Sequence, residues 1–287
     1  MKSIAFVIPY FGAFPAWMDY FLASCRKNES IDFILFSDNP EPVGWPENFH
    51  YHHISFDEYK KIVSDRLGIS FNPTSAYKLC DIKPSLGFIH QDILQSYDFW
   101  GFCDIDVVFG DIRAFLTEKL LDEIDFFSAH GRRVAGHFAF MKNEQKYNES
   151  FFKAKNWRKV FEDQVHYCFD EKHFSDLYLG FKNFPKSVSK ILNWILLPLS
   201  RRALFREEFS TPELRYNWVD GSRNFPAEWY WKSGRLTNDQ SSREFLYLHF
   251  LKWKKEWPGL NISHVPDSDL NSKWKVTLNG FEPLSNN

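Results

Sequence analysis

The stretch WGFCDIDVVFGDI, residues 100–112, carries two carboxylates, Asp104 and Asp106, inside an apolar run. A charge in such a run is costly unless it is paired or binds something. On a strand, residues i and i+2 face the same way, so a strand continuing through residue 106 would project both carboxylates together. They have no basic partner nearby in sequence. A divalent cation relieves their repulsion, and magnesium or manganese typically takes one or two carboxylates plus substrate phosphate oxygens. The pattern therefore points to a metal–diphosphate site at a strand end. The alternative is that Asp104 caps the following turn and Asp106 is solvated. Far along the chain, LHFLKWKKEW places His249 at the end of another apolar strand, with Lys252, Lys254 and Lys255 just beyond. A neutral imidazole is a suitable third ligand for a manganese-like ion. Lys252, three residues on, would neutralise a diphosphate oxygen. Taken singly, His249 also reads as a satisfied core histidine and the lysines as a solvated face.

These residues need a scaffold that brings strand ends together. IAFVIP, IDFILFSD and YDFWGFC read as buried strands, and FHYHHI as a further strand. Between them lie a helix running to Arg26, with Pro15 in its first turn, and SFDEYKKIVSDRLG, with a Ser55–Glu58 capping box and a closing Gly68. TSAYKLCDIKPSLGFIHQDIL reads as helical with an interruption at Pro84. The alternation predicts an α/β fold, a Rossmann-like mixed, mainly parallel sheet flanked by helices. Ligands of such sheets sit outside the carboxyl ends of the strands. That edge would hold Pro9 to Gly12, Asp38 and Asp104 to Asp106. The second half is less regular. IDFFSA and GHFAFMKN read as strands, SFFKAKNWRKVFED and DEKHFSDLYLG as helices, and EWYWKSGRLTN as a hairpin. A single domain over residues 1–287 is expected, with 1–112 as a nucleotide-binding half and 113–287 as an acceptor-binding half.

Composition narrows the partners. A net charge of -2 and a pI near 6.6 give no basic field for nucleic acid. Aromatic residues make up 19% of the chain, enough to build a core and to leave stacking surfaces. The four cysteines form no CxxC pair, which argues against zinc and redox motifs, and cysteines set among apolar residues, as Cys103 is, suit a reducing compartment. The N-terminal apolar run is too short for a signal peptide, and no stretch is long enough to span a bilayer. A cytoplasmic location is expected.

IPYFG, the FSD strand end, DID and the late HFLKWKKEW together resemble nucleotide-sugar glycosyltransferases of the A-type fold. The late segment resembles the His-x-Gly-x-x-Lys-Pro-Trp element of family-8-type enzymes. Leu251 and Lys252 stand where the glycine and its neighbours would be, and no proline precedes Trp253. The choice between Lys252 and Lys254 stays open. AYKLCDIKPSLG together with YDFWGFCDIDVVFGDI is similar to bacterial glycosyltransferase-like proteins of surface-polysaccharide synthesis. The resemblance implies a Mn2+ or Mg2+ ion held by Asp104, Asp106 and His249. It also implies a nucleoside-diphosphate sugar donor, a UDP-sugar first among them. Tyr10 would line the nucleotide pocket and Asp38 would bind the base or ribose. Asp81 and Lys83 would face ribose and phosphate, unless Lys78, Asp81 and Lys83 form a surface ion-pair cluster.

Sugar transfer builds negative charge on the leaving diphosphate, and an inverting enzyme needs a carboxylate base for the acceptor. Asp163, Asp170 and Glu171 are the candidates. Asp163 is followed by Gln164, as in the Asp-Gln pair of family-8-type enzymes, whereas Asp170 and Glu171 also suit a helix N-terminus. Gly136 would let a sugar ring approach the backbone, and His137 would offer a donor. The acceptor is expected to be a glycan or lipid-linked glycan. Residues 186–206 combine apolar and basic side chains as an interfacial helix does, although Pro198 breaks any long helix there. Two other readings remain: a nucleotidyltransferase or nucleotide-sugar phosphohydrolase using the same cleft, and a non-catalytic glycan-binding module.

Overall fold

The computed structural model describes residues 1–41, 44–213, 217–257 and 273–284. In chain order the strands are β1 (Ile4–Pro9), β2 (Ile31–Ser37), β3 (Phe49–His53), β4 (Phe99–Cys103), β5 (Val107–Phe109), β6 (Phe126–Ser128), β7 (Phe138–Lys142), β8 (Ala203–Phe205), β9 (Glu228–Lys232), β10 (Arg235–Asn238), β11 (Tyr247–His249), β12 (Lys273–Thr277) and β13 (Gly280–Pro283). Seven form one sheet in the order β3-β2-β1-β4-β7-β6-β8. Its pairings are parallel except where β7 lies antiparallel between β4 and β6. This is the expected mixed, mainly parallel α/β sheet. The first four strands are nearly continuous apolar runs because both faces are covered. One face packs under Val7, Trp100, Phe102 and Met141, the other under Phe6, Phe33, Phe138 and Phe140.

Helix α1 (Met18–Arg26) starts later than its sequence suggests. Pro15 belongs to the turn before it, where its carbonyl accepts the Met18 N–H at 3.0 Å. Gly12, at φ +96°, gives that loop a backbone shape that disfavours other residues. Helix α2 (Phe56–Leu67) has the expected capping box, and Gly68 closes it in the left-handed conformation. The segment 76–94 is a chain of single turns rather than one helix. Pro84 removes a donor and crowds the preceding turn, so the helix restarts there.

A second sheet, in the order β10-β9-β12-β13, is antiparallel throughout. Strands β12 and β13 pair as a hairpin at one edge of it. This sheet consumes much of the aromatic content. Trp231 stacks on Trp274 at 3.7 Å, and Trp218, Trp229, Trp253 and Trp257 are buried in the same cluster. The Trp231 indole donates to the Phe109 carbonyl at 2.8 Å, tying this sheet to β5. Strand β5 in turn pairs with β11, which carries the late histidine back beside residues 107–109.

Candidate active site

Strand β4 stops at Cys103, so Asp104 and Asp106 do not share one continuous strand as expected. The Asp104 N–H makes a last rung to the His137 carbonyl at 3.2 Å. The chain then bends at Ile105 and Asp106 before β5 begins. The Trp17 indole holds the Ile105 carbonyl at 3.1 Å, and the Phe250 N–H holds the Asp106 carbonyl at 3.2 Å. The bend thus does what strand alternation was expected to do. One ligand atom from each of Asp104, Asp106 and His249 lies within 4.8 Å of the others.

His249 ends β11 opposite Val107, and this register sets its Nε2 3.3 Å from Asp106 Oδ2. Its Nδ1 lies 3.3 Å from Thr211 Oγ1, leaving Nε2 to face the carboxylate. His137 stacks on the His249 ring at 4.2 Å and bonds the Tyr247 hydroxyl at 2.7 Å. Burial, with His249 beside it, holds His137 well below the usual histidine range. His137 therefore sits behind His249 as a neutral support, not facing a sugar as expected. The group placed to orient the His249 ring by hydrogen bonding, as outer-sphere partners orient metal-binding histidines, is Thr211 rather than His137.

Two lysines meet the carboxylates. Lys83 Nζ bonds the Asp104 carboxylate and the Gly136 carbonyl, the latter at 2.8 Å. Burial disfavours its charge, but Asp104 and its other acidic neighbours win and hold Lys83 above the ordinary lysine value. Lys254 Nζ lies 2.6 Å from Asp106 Oδ2. Burial opposes ionisation of Asp106, yet His249 and Lys254 hold its carboxyl well below the usual range. Lys252 was the expected phosphate lysine, but it is exposed. The one-turn helix Trp253–Lys255 directs Lys254 inward instead. Lys254 could have been found from the family-8-type element, which places its lysine five residues after the histidine.

The cleft at this edge has a volume of about 440 Å³, and its walls include Tyr10, Trp17, Tyr77, Lys83, Asp104 and Lys254. Trp17 and Tyr77 carried no signal in the sequence. Asp170 approaches from the other side. Its Oδ2 would lie 2.4 Å from any Cβ at position 136, so glycine there makes room for the carboxylate rather than for a sugar ring. Burial, against the pull of Lys83, pushes Asp170 up to about 7.

The remaining expected residues are placed elsewhere. Asp81 is fully buried, paired with Lys78 at 2.8 Å, and accepts the N–H groups of Tyr167 and Phe169. It is neither a ribose ligand nor part of a surface cluster, because those three groups consume its oxygens inside the protein. Asp38 is exposed and accepts the Gly12 N–H at 3.0 Å, so it shapes the loop beside Tyr10. Asp163 accepts the Tyr167 hydroxyl at 2.7 Å and lines a separate surface hollow with Arg158 and Glu162. Gln164 bonds the Thr74 N–H and the Asn72 carbonyl. Glu171 lies 3.5 Å from Arg133.

Asp106 Oδ2 and His249 Nε2 are buried and face each other at 3.3 Å; Lys254 also reaches that oxygen, whereas the imidazole nitrogen has no hydrogen-bond partner among the described residues. Two carboxylates and an imidazole suit manganese or magnesium. Asp104, Asp106 and His249 could hold such an ion.

Fold and site together define an α/β protein with a cleft at the carboxyl edge of its parallel strands, in which Asp104 and Asp106 meet Lys83 and Lys254. The chain belongs to a family of unknown function, DUF6625, whose profile matches residues 6–284. No curated protein matches it. Among solved structures it is similar to an active-site mutant of LgtC, with a TM-score of 0.34 and 11% identity over 60% of this chain and 71% of that one. Galactosyltransferase LgtC in complex with donor and acceptor sugar analogues gives 0.32 and 12% over 60% and 72%. The glycosyltransferase GlyE of Streptococcus pneumoniae TIGR4 gives 0.29 and 12% over 75% and 57%.

Proposed function

We propose that this protein is a metal-dependent glycosyltransferase. It moves a sugar from a nucleoside-diphosphate donor, a UDP-sugar first among candidates, to a glycan or lipid-linked glycan acceptor in bacterial surface-polysaccharide synthesis. The observation that carries this reading is the convergence of Asp104, Asp106 and His249 with Lys83 and Lys254 at one strand edge. The pairing of β11 with β5 supports reading the whole chain as one catalytic unit. We place its work at the inner face of a membrane, with residues 186–206 making a peripheral contact.

A bound divalent ion would supply Lewis-acid stabilisation of the charge that develops on the departing diphosphate. Lys83 and Lys254 are preorganised cations beside that charge, which is where fixed electrostatics contribute most. Tyr10, Trp17 and Tyr77 give the cleft flat walls for a nucleoside. Asp170, poised near neutrality, is the carboxyl group able to hold or pass a proton at the sugar side.

The test is thermal shift with a panel of nucleoside diphosphates, with and without Mn2+, followed by donor turnover with glycan acceptors. One diphosphate should stabilise the protein only when Mn2+ is present, and transfer should release that diphosphate. Asp106→Asn should abolish both while leaving the far-UV circular dichroism unchanged. Release of inorganic phosphate, nucleoside monophosphate or pyrophosphate would instead assign a phosphohydrolase or nucleotidyltransferase. Glycan binding without nucleotide or metal would assign a binding module.

A further inference from the structure

The helix Lys186–Leu196 leaves its apolar ridge uncovered and buries one residue, Asn193. An amphipathic helix ordinarily turns its apolar stripe to the core. Here the residue turned inward is polar: Asn193 is 4% exposed, accepts the Phe181 N–H at 3.1 Å and bonds Ser189 Oγ at 3.3 Å. The outward ridge is apolar. Val188, Ile191 and Ile195 recur at i, i+3 and i+7, and Ile191 and Ile195 are 58% and 51% exposed. Trp194 flanks them at 59%, and it is the one exposed tryptophan among the eleven in the chain, all of which are described. A contiguous apolar surface of this kind marks an interaction site.

Beneath and beside this helix lies a cavity of about 650 Å³, reaching to β8. Arg132, Lys186, Lys190 and Arg201 line it together with Trp194 and Phe205, and no carboxylate among the described residues does. Arg201 caps the helix, donating to the Trp194 carbonyl at 3.1 Å with its guanidinium over the Trp194 ring. Lys186 and Lys190 have no ion-pair partner among the described residues. The apolar ridge therefore borders a cationic cavity. A second copy of this chain would bring the same cations against these, whereas an anionic lipid surface meets both features at once.

We propose that this cavity takes the phosphate headgroup of an anionic lipid while Val188, Ile191, Trp194 and Ile195 enter the bilayer interface. This deepens the membrane contact proposed above. It uses no residue of the metal cleft, so the two readings stand or fall separately.

The test is flotation of the full chain with vesicles, without nucleotide or metal. Vesicles of phosphatidylcholine containing about a third phosphatidylglycerol should carry the protein, those of phosphatidylcholine alone should not, and salt should weaken the binding. Lys186→Gln with Lys190→Gln should lower partitioning about 30-fold, at roughly fivefold per lysine. Ile191→Ser with Ile195→Ser should lower it about tenfold or more. All four side chains are exposed, so melting temperatures should stay near that of the parent. Failure to bind anionic vesicles, or unchanged binding by both double variants, would overturn the proposal. So would stabilisation by inorganic phosphate without vesicle binding, or a sedimenting dimer that Ile191→Ser dissociates.

Discussion

Asp170 is a nearly buried carboxyl group, and its proton should report that burial in stability. Burial pushes its pKa up to about 7 from 3.8. Between those values the unfolded chain loses a proton that the folded chain keeps, so stability falls as pH rises across that window. Below about pH 4 both states are protonated and the penalty vanishes. Asp170→Asn should therefore gain on the parent by as much as about 4 kcal/mol on going from pH 4 to pH 8. Urea unfolding at both pH values, in EDTA, measures it, and a difference that does not change with pH would refute the assignment. The lysines make a second test at this scale. Lys254 lies 2.6 Å from Asp106, whereas Lys252 is exposed. Lys254→Met should weaken nucleoside-diphosphate affinity about tenfold or more by calorimetry, the worth of a charge-assisted contact. Lys252→Met should leave it within about twofold.

At the scale of elements, the site depends on a buried clamp between the one-turn helices before Pro84 and the loop that follows residue 163. Lys78 pairs with Asp81 in the interior and also bonds the Val160 and Val165 carbonyls. Asp81 in turn gathers the N–H groups of Tyr167 and Phe169, the residues that lead into Asp170. The clamp thus connects the segment bearing Lys83 to the segment bearing Asp170. Removing one partner leaves a buried charge without its counter-ion. Lys78→Met should destabilise the protein by about 3–5 kcal/mol, and chemical denaturation will show it. Asp81→Asn with Lys78→Met should cost less than the sum of the two single changes, since neither charge is then stranded. The short β5–β11 pair plays the comparable role on the other side, because its register sets His249 against Asp106.

Across the whole molecule, buried histidines set the response to acid. His90 is enclosed beside Tyr59, whose hydroxyl it meets at 2.9 Å, and stacks on Phe36 at 4.3 Å. Burial, aided by His52 and Arg66, lowers its pKa to about 3 from 6.5. A depressed histidine favours the folded state fully above the unfolded value and less as pH falls below it. His90 should therefore make the protein lose stability from about pH 6.5 downward, opposite in sign to Asp170. His90→Gln should flatten the acid limb of a melting-temperature profile relative to the parent. An unchanged slope would mean that another group, such as His130, dominates there.

What the sequence determined by itself is what short-range pattern encodes. Continuous apolar runs mark β1, β2 and β4, Ser55 and Glu58 cap α2, Ser233-Gly234 turns a hairpin, and Asp104, Asp106 and His249 stand out by type. The hairpin of β12 and β13 is legible on the same grounds, since KWKVT alternates and Asn279-Gly280 follows. Tertiary structure decided which groups meet. It chose Lys254 over Lys252 and turned Asp81 from a ligand into a clamp. It also set Asp170 against Gly136 and replaced strand alternation at Asp104 and Asp106 with a bend. The physical reason is that each of these depends on register between segments distant in sequence. A one-residue slip there turns every side chain to the opposite face while leaving the local pattern unchanged.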